Sequence, residues 1–149
     1  MAEPWPRYLI DTSAWLVVLQ PTVPPQAIKE VECALTLGSA VTARPIMMEV
    51  LAQIEDESER EDLKCCLESL PVARVTAEVW SRATALAWEM RRKGMQGASM
   101  QILVAAIAQS YGFRLVHASP NLDYICRTAH LTARRVPALR PKTRLGGRI

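Results

Sequence analysis

Two carboxylates stand where the chain changes character. Asp11 closes the apolar run Tyr8-Leu9-Ile10, and Thr12-Ser13 leads straight into Ala14-Trp15-Leu16-Val17-Val18-Leu19. The run has the aromatic and β-branched residues of a buried strand, and the stretch after it reads as a helix. A carboxylate at such a junction lies at the carboxyl edge of a sheet, where open α/β sheets bind ligands. Asp is also a common helix N-cap, so both readings of Asp11 stand at this point. Glu49 is the only charge within Ile46-Met47-Met48-Glu49-Val50-Leu51. A helix dipole favours a carboxylate near the N-terminus, which is one explanation. The functional one is that Glu49 points over the sheet edge toward Asp11. One chemistry is discounted. A phosphotransfer enzyme that uses the first Asp of Asp-x-Asp as nucleophile needs a carboxylate two residues on, and Ser13 stands there.

Bringing residues 11 and 49 together requires alternating strands and helices. The pattern predicts a first helix over about 13–20, ended by Pro21, Pro24 and Pro25. A second follows over 26–37, with Gly38 as its stop. Residues 40–42 read as a strand, with Thr42 capping the helix that carries Glu49 and Pro45 in its first turn. Ser58 and Glu61 fit a capping box ahead of Leu63, Leu67 and Leu70. Residues 72–75 form a short strand, and Thr76 caps a long helix ending at Arg91-Arg92-Lys93-Gly94. Trp80 and Trp88 pack along that helix as core or interface rather than as a nucleic-acid platform, since they lie in an amphipathic pattern. Ser99 caps Met100-Gln101-Ile102-Leu103-Val104-Ala105-Ala106-Ile107-Ala108, apolar nearly all round and therefore the buried helix. Phe113-Arg114-Leu115-Val116-His117-Ala118 is the clearest strand, followed by a helix with Ser119 as its cap and Pro120 at its first position. Arg134-Arg135-Val136 reads as an edge strand. The alternation implies parallel β-α units and a three-layer α/β/α fold with a mostly parallel sheet.

The bulk composition fits one such domain. The chain has 149 residues, of which 50% are hydrophobic and 22% charged, enough for a single core. No apolar run approaches the ~20 residues of a membrane helix, and Met1-Ala2-Glu3-Pro4-Trp5-Pro6 lacks the features of a secretory signal. A cytoplasmic protein with no membrane partner is expected. Cys33, Cys65, Cys66 and Cys126 show no metal spacing and read as reduced, mostly buried thiols. The net charge of +3 is too small to argue for nucleic-acid binding, but its distribution says more. No acidic residue follows Asp123, while Arg134, Arg135, Arg140 and Lys142 lie in that last stretch. Such a tail suits phosphate-rich partners or an acidic protein surface. The expected division is one domain over 1–136 and a basic tail over 137–149.

Leu9-Ile10-Asp11-Thr12-Ser13-Ala14-Trp15 resembles the opening of PIN domains, particularly the VapC-like toxin ribonucleases. Met47-Met48-Glu49-Val50-Leu51, then Arg91-Arg92-Lys93-Gly94, then 102–108 leading to the strand that ends at Ala118 match in the same order. The resemblance implies RNA cleavage by acidic residues that bind Mg²⁺ or Mn²⁺ at the sheet edge. It places the first acid at Asp11 and the second at Glu49. The third falls at Gln101 and the fourth at Ser119, with a further frequent acid at Asn121. Only two carboxylates are kept. Hard divalent cations take oxygen ligands, and affinity follows ligand charge, so metal binding and RNA cleavage are expected to be weak or lost, with Gln101 and Ser119 as neutral ligands. Asp123, one helical turn beyond Ser119, is expected to face away from the site, and His117 to be a hydrogen-bonded structural residue. The alternative is a PIN-fold module that binds RNA or a protein partner without chemistry. An antitoxin-like partner and a homodimer are also expected.

Overall fold

The computed structural model describes residues 6–96 and 98–137. Strands and helices alternate as β1 (Tyr8–Ile10), α1 (Thr12–Val18), α2 (Pro25–Thr36), β2 (Ala40–Ala43), α3 (Arg44–Ala52), α4 (Glu57–Glu68), β3 (Val72–Ala73), α5 (Ala77–Arg92), α6 (Ser99–Tyr111), β4 (Arg114–His117), α7 (Pro120–Thr128) and β5 (Ala133–Arg135). The sheet order is β3-β2-β1-β4-β5, and every pairing is parallel. Leu9 stands opposite Val41 on one side and Leu115 on the other.

Successive residues of a strand face opposite sides of the sheet. Leu9 and Ile10 are both fully buried, as are Val41 and Thr42, and Leu115 and Val116. Both faces are therefore covered, and helix, sheet and helix form three layers, as parallel sheets require. α6 supplies much of one cover. Ile102 to Ala108 are buried without a break, and three of those seven are Ala, which lets the backbone approach closely.

The order of the strands positions the site. From β1 the chain steps outward through β2 to β3, then returns to the other side of β1 for β4 and β5. Connections leaving β1 and β4 diverge at that reversal and open a crevice beyond the strands' carboxyl ends. Asp11 lies at the end of β1 and Ser119 just past the end of β4.

Several caps differ from expectation. The α1 N-cap is Asp11 itself, whose side chain accepts from the Ser13 backbone N–H, and the helix ends at Val18 rather than at residue 20. Thr42 does not cap α3; it is buried in β2 and Ala43 occupies the cap position. Asp56, not Ser58, caps α4 by accepting from Glu59 N–H at 2.8 Å. Ser99 is the first residue of α6 rather than its cap, and Ser119 sits at the α7 cap position without making a capping bond. Thr76 caps α5 as expected. In each missed case a neighbour had the extended backbone that a cap needs: Asp56 and Ala98 lie before the expected Ser58 and Ser99, and Ala43 lies after the expected Thr42. Gly112 ends α6 with a φ of 69°, in the left-handed region where a Cβ would be strained. Trp80 and Trp88 are 55% and 65% exposed, so neither is core. The cysteines are not mostly buried either: Cys126 is, but Cys33, Cys65 and Cys66 lie outside the buried stripes of α2 and α4 and are exposed.

Candidate functional site

Asp11 is only 2% exposed. Its Oδ2 accepts from the Ser13 backbone N–H at 2.9 Å and from the Ser13 hydroxyl at 2.5 Å. The Ser13 oxygen in turn accepts from Ala118 N–H at 2.9 Å, which stitches the turn after β1 to the turn after β4. Asp11 N–H donates to the Val116 carbonyl at 2.9 Å, completing that seam. Asp11 is thus both the cap and the carboxylate at the edge, and the two readings are one geometry.

Glu49 sits in the second turn of α3, too far along for the helix dipole to explain it. Its Oε2 accepts from the Thr12 hydroxyl at 2.8 Å, which brings it beside the residue next to Asp11. Gln101, near the start of α6, donates from Nε2 to Ser119 Oγ at 2.8 Å. The chain of contacts Glu49–Thr12, Asp11–Ser13–Ala118 and Ser119–Gln101 brings all four expected positions to one edge.

His117 and Asp123 form the support beneath it. His117 is 1% exposed, and its Nδ1 accepts from Ser119 N–H at 3.2 Å. That acceptor role puts the ring proton on Nε2, which lies 3.5 Å from Asp123 Oδ1. Burial pushes the His117 pKa below its ordinary 6.5, with Asp123 and Asp11 pulling the other way. Asp123 therefore does not face away. It turns back to His117 and pairs with Arg135 at 2.8 Å, because a residue one helical turn past Ser119 returns to the same face. Arg134 lies 3.1 Å from both carboxylate oxygens of Glu30. Arg140 and Lys142 lie outside the described residues. Thr12 and Ser13, expected only to cap α1, are the side chains that join the site's parts.

Two features bear on a divalent cation. Neither Asp11 nor Glu49 has an ion pair among the described residues, and a buried carboxylate without one favours a cation. Gln101 Oε1 is fully occluded and accepts no hydrogen bond. The donor set is thus all oxygen, the kind that Mg²⁺ and Mn²⁺ take, but it holds two charges. No group of three or more His, Cys, Asp or Glu suited to a metal occurs among the described residues.

The family model for the PIN domain matches residues 8–127, the stretch that carries every part of this edge. The chain belongs to the PIN domain family. Curated relatives include VapC ribonuclease Mb1587 of Mycobacterium bovis and ribonuclease VapC11 of Mycobacterium tuberculosis. Each is 34% identical over 129 residues, covering 84% of this chain and 96% of the relative. Among solved structures, VapBC2 from Rickettsia felis bound to a promoter DNA fragment superposes with a TM-score of 0.71 at 15% identity, covering 87% of this chain and 98% of that one. FitAcB from Neisseria gonorrhoeae gives 0.66 at 14% identity, covering 85% and 95%. At such identities the structures speak for the PIN fold alone. Among the described residues no helix of this PIN domain is long and apolar enough to cross a membrane.

Proposed function

We propose that this protein is a VapC-type, RNA-directed PIN protein, the toxin of a toxin–antitoxin pair, with RNA hydrolysis far weaker than four carboxylates would support. The observation that carries this reading is the hydrogen bond of 2.8 Å between Gln101 Nε2 and Ser119 Oγ. Two neutral side chains share one hydrogen bond where the resemblance expects two anions. The named relatives are ribonucleases, and one solved neighbour is a member of the VapBC family of toxin-antitoxin systems, which supports RNA as substrate and an antitoxin as partner.

Asp11 and Glu49 would hold Mg²⁺ or Mn²⁺. A divalent ion there supplies charge stabilisation at a phosphoryl oxygen and acidifies a water. Gln101 and Ser119 contribute neutral oxygens that orient without charge. A carboxylate about 4 Å from a divalent ion gains roughly 8 kcal/mol at an effective dielectric near 20, and desolvation returns most of it. A net remainder of only about 1.4 kcal/mol per carboxylate is tenfold in affinity, so losing two weakens the centre at least about a hundredfold. Arg134 and Arg135 join the RNA-facing surface, since exposed ion pairs of about 0–1 kcal/mol exchange readily for phosphate. Arg140 and Lys142 add two further positive charges later in the sequence. The protein acts in the cytoplasm as a homodimer.

The test is Mn²⁺ calorimetry and RNA cleavage by the wild type, Asp11→Ala and the double variant Gln101→Asp with Ser119→Asp. Weak Mn²⁺ binding lost in Asp11→Ala, with tighter binding and faster cleavage in the double variant, is expected. Robust wild-type cleavage abolished by Asp11→Ala would overturn the weakness assigned to the site. No gain in Mn²⁺ affinity in the double variant would overturn its location.

A further inference from the structure

We propose that a cleft beside the start of α7 binds one unpaired base of an RNA strand whose phosphate backbone runs along the Asp11–Glu49 edge. The inference rests on the proposed RNA-directed function for its ligand. The cleft is about 240 Å³ and is lined by Met90, Met95, Gln96, Asn121 and Tyr124. That is below the roughly 300–1,000 Å³ of an ordinary small-molecule site, a scale that suits one flat ring system rather than a whole nucleotide.

Its lining has the two halves that a base requires. Met90, Met95 and Tyr124 supply apolar and aromatic surface, and Tyr124 is 53% exposed. Bases of any identity stack on such a ring. Gln96 and Asn121 are exposed primary amides, each with a donor beside an acceptor. That pattern matches the edge of adenine. The Arg127 guanidinium lies over the Tyr124 ring, 5.0 Å from its centroid, so it covers one face of the ring, leaves the other for a base, and keeps a positive charge near the strand's phosphates.

Position ties the cleft to the site. Asn121 is two residues beyond Ser119, in the first turn of α7, so both open on the same sheet edge. The side chains between them do not repel a phosphate. Gln101, Ser119 and Asn121 are uncharged. A small, half-polar cleft next to a neutral wall fits a base better than it fits an apolar helix of a protein partner.

The probe is a labelled single-stranded oligoadenylate, compared with a strand of equal length that is abasic throughout. Binding is measured in EDTA for the full chain and for Tyr124→Ala, Tyr124→Phe and Asn121→Ala. The wild type is expected to prefer the complete strand about tenfold, the scale of one stacked base. Tyr124→Ala should abolish that preference, Tyr124→Phe should keep it, and Asn121→Ala should lower it. Free adenosine monophosphate should compete only at much higher concentration. Equal binding of both strands by the wild type, or an unchanged preference in Tyr124→Ala, would overturn the cleft while leaving RNA binding intact. Competition by the free nucleotide at strand concentration would make this a nucleotide site and overturn the assignment to a strand. Binding of neither strand, in EDTA or with Mn²⁺ present, would overturn the RNA-directed function together with the cleft.

Discussion

Asp11 does two things with one carboxylate, and substitution separates them. Asn keeps an N-cap acceptor, while Ala loses it at about 0.5–2 kcal/mol. Asp11→Ala should therefore unfold at lower urea than Asp11→Asn, by about 1 kcal/mol. Both variants lose the buried charge, and both should lose Mn²⁺ binding in calorimetry. Equal stability of the two would show that the 2.9 Å contact from Ser13 N–H contributes nothing as a cap. His117 gives a prediction with a sign. Burial holds its folded pKa below the ordinary 6.5, so the unfolded chain takes up a proton first on acidification. Its contribution to stability is complete above about pH 6.5 and is lost as the pH falls from there toward the folded value, with a slope of up to about 1.4 kcal/mol per pH unit. Thermal melts from pH 7.5 to 5.5 should show this fall, reduced in His117→Asn. Cys126 is buried, and burial, with Asp123 and Asp11, pushes its thiol up to about 12. Maleimide at pH 7.5 should modify exposed Cys33, Cys65 and Cys66 in the native protein and reach Cys126 only after unfolding, as read by mass spectrometry. Asp11 was legible in the sequence because a strand, a carboxylate and a helix in succession admit few geometries. The Thr12–Glu49 and Ser13–Ala118 links were not, because they join residues 37 and 105 positions apart through hydroxyls that also suit a cap.

The elements were legible for a different reason. β1, β4 and α6 are apolar runs whose length and flanking signals leave one assignment, and the structure has all three. Caps were not, because Ser58, Ser99 and Thr42 have the right chemistry and only backbone dihedrals decide which neighbour takes the position. Trp80 and Trp88 lie on an amphipathic helix, but Val79, Ala83, Leu86 and Met90 are the residues of α5 that face inward. The amphipathic pattern was real, and the Trp residues stand outside its buried stripe. α6 is the element on which the site depends most, since it is packed along seven consecutive residues and carries Gln101 at its edge. Ala106 is fully buried there. Ala106→Leu forces extra methylenes into a filled layer and should cost about 1–3 kcal/mol, measured by urea unfolding. The same overpacking should displace Gln101 from Ser119, which the loss of the Gln101 side-chain amide signal's protection from solvent exchange would report. Unchanged stability would mean that the layer holds slack that its 0% exposure conceals.

At the scale of the molecule, one face is apolar and exposed among the described residues. Met48, Trp80 and Trp88 are 58%, 55% and 65% exposed on α3 and α5. Beside them runs a groove lined by Met47, Leu51, Met100 and Leu103 together with Met48 and Trp80. Exposed apolar patches of this kind mark interaction sites. The size can be judged. Each Trp side chain offers about 150–250 Å², so the exposed parts of two amount to roughly 200–300 Å², about a third of the ~800 Å² that each partner buries in a standard interface. The groove and Met48 must supply much of the remainder, and they are contiguous with the Trp80 ring. A second copy is the occupant we propose for this face. Residues of α5 can serve as the projection and the groove as the recess, so that two-fold pairing uses the same surface on both chains. Light scattering should therefore report a dimer at micromolar concentration. Trp80→Ser with Trp88→Ser should give a monomer, with little loss of stability because both side chains already face water. A wild-type monomer would remove the second copy as the occupant of this face. A dimer that survives the double substitution would move the interface elsewhere, away from the residues 48 and 100 that stand next to Glu49 and Gln101. Dimer formation through this face would set two sheet edges close together, and RNA affinity should then fall with dilution in the wild type but not in the Trp80, Trp88 variant.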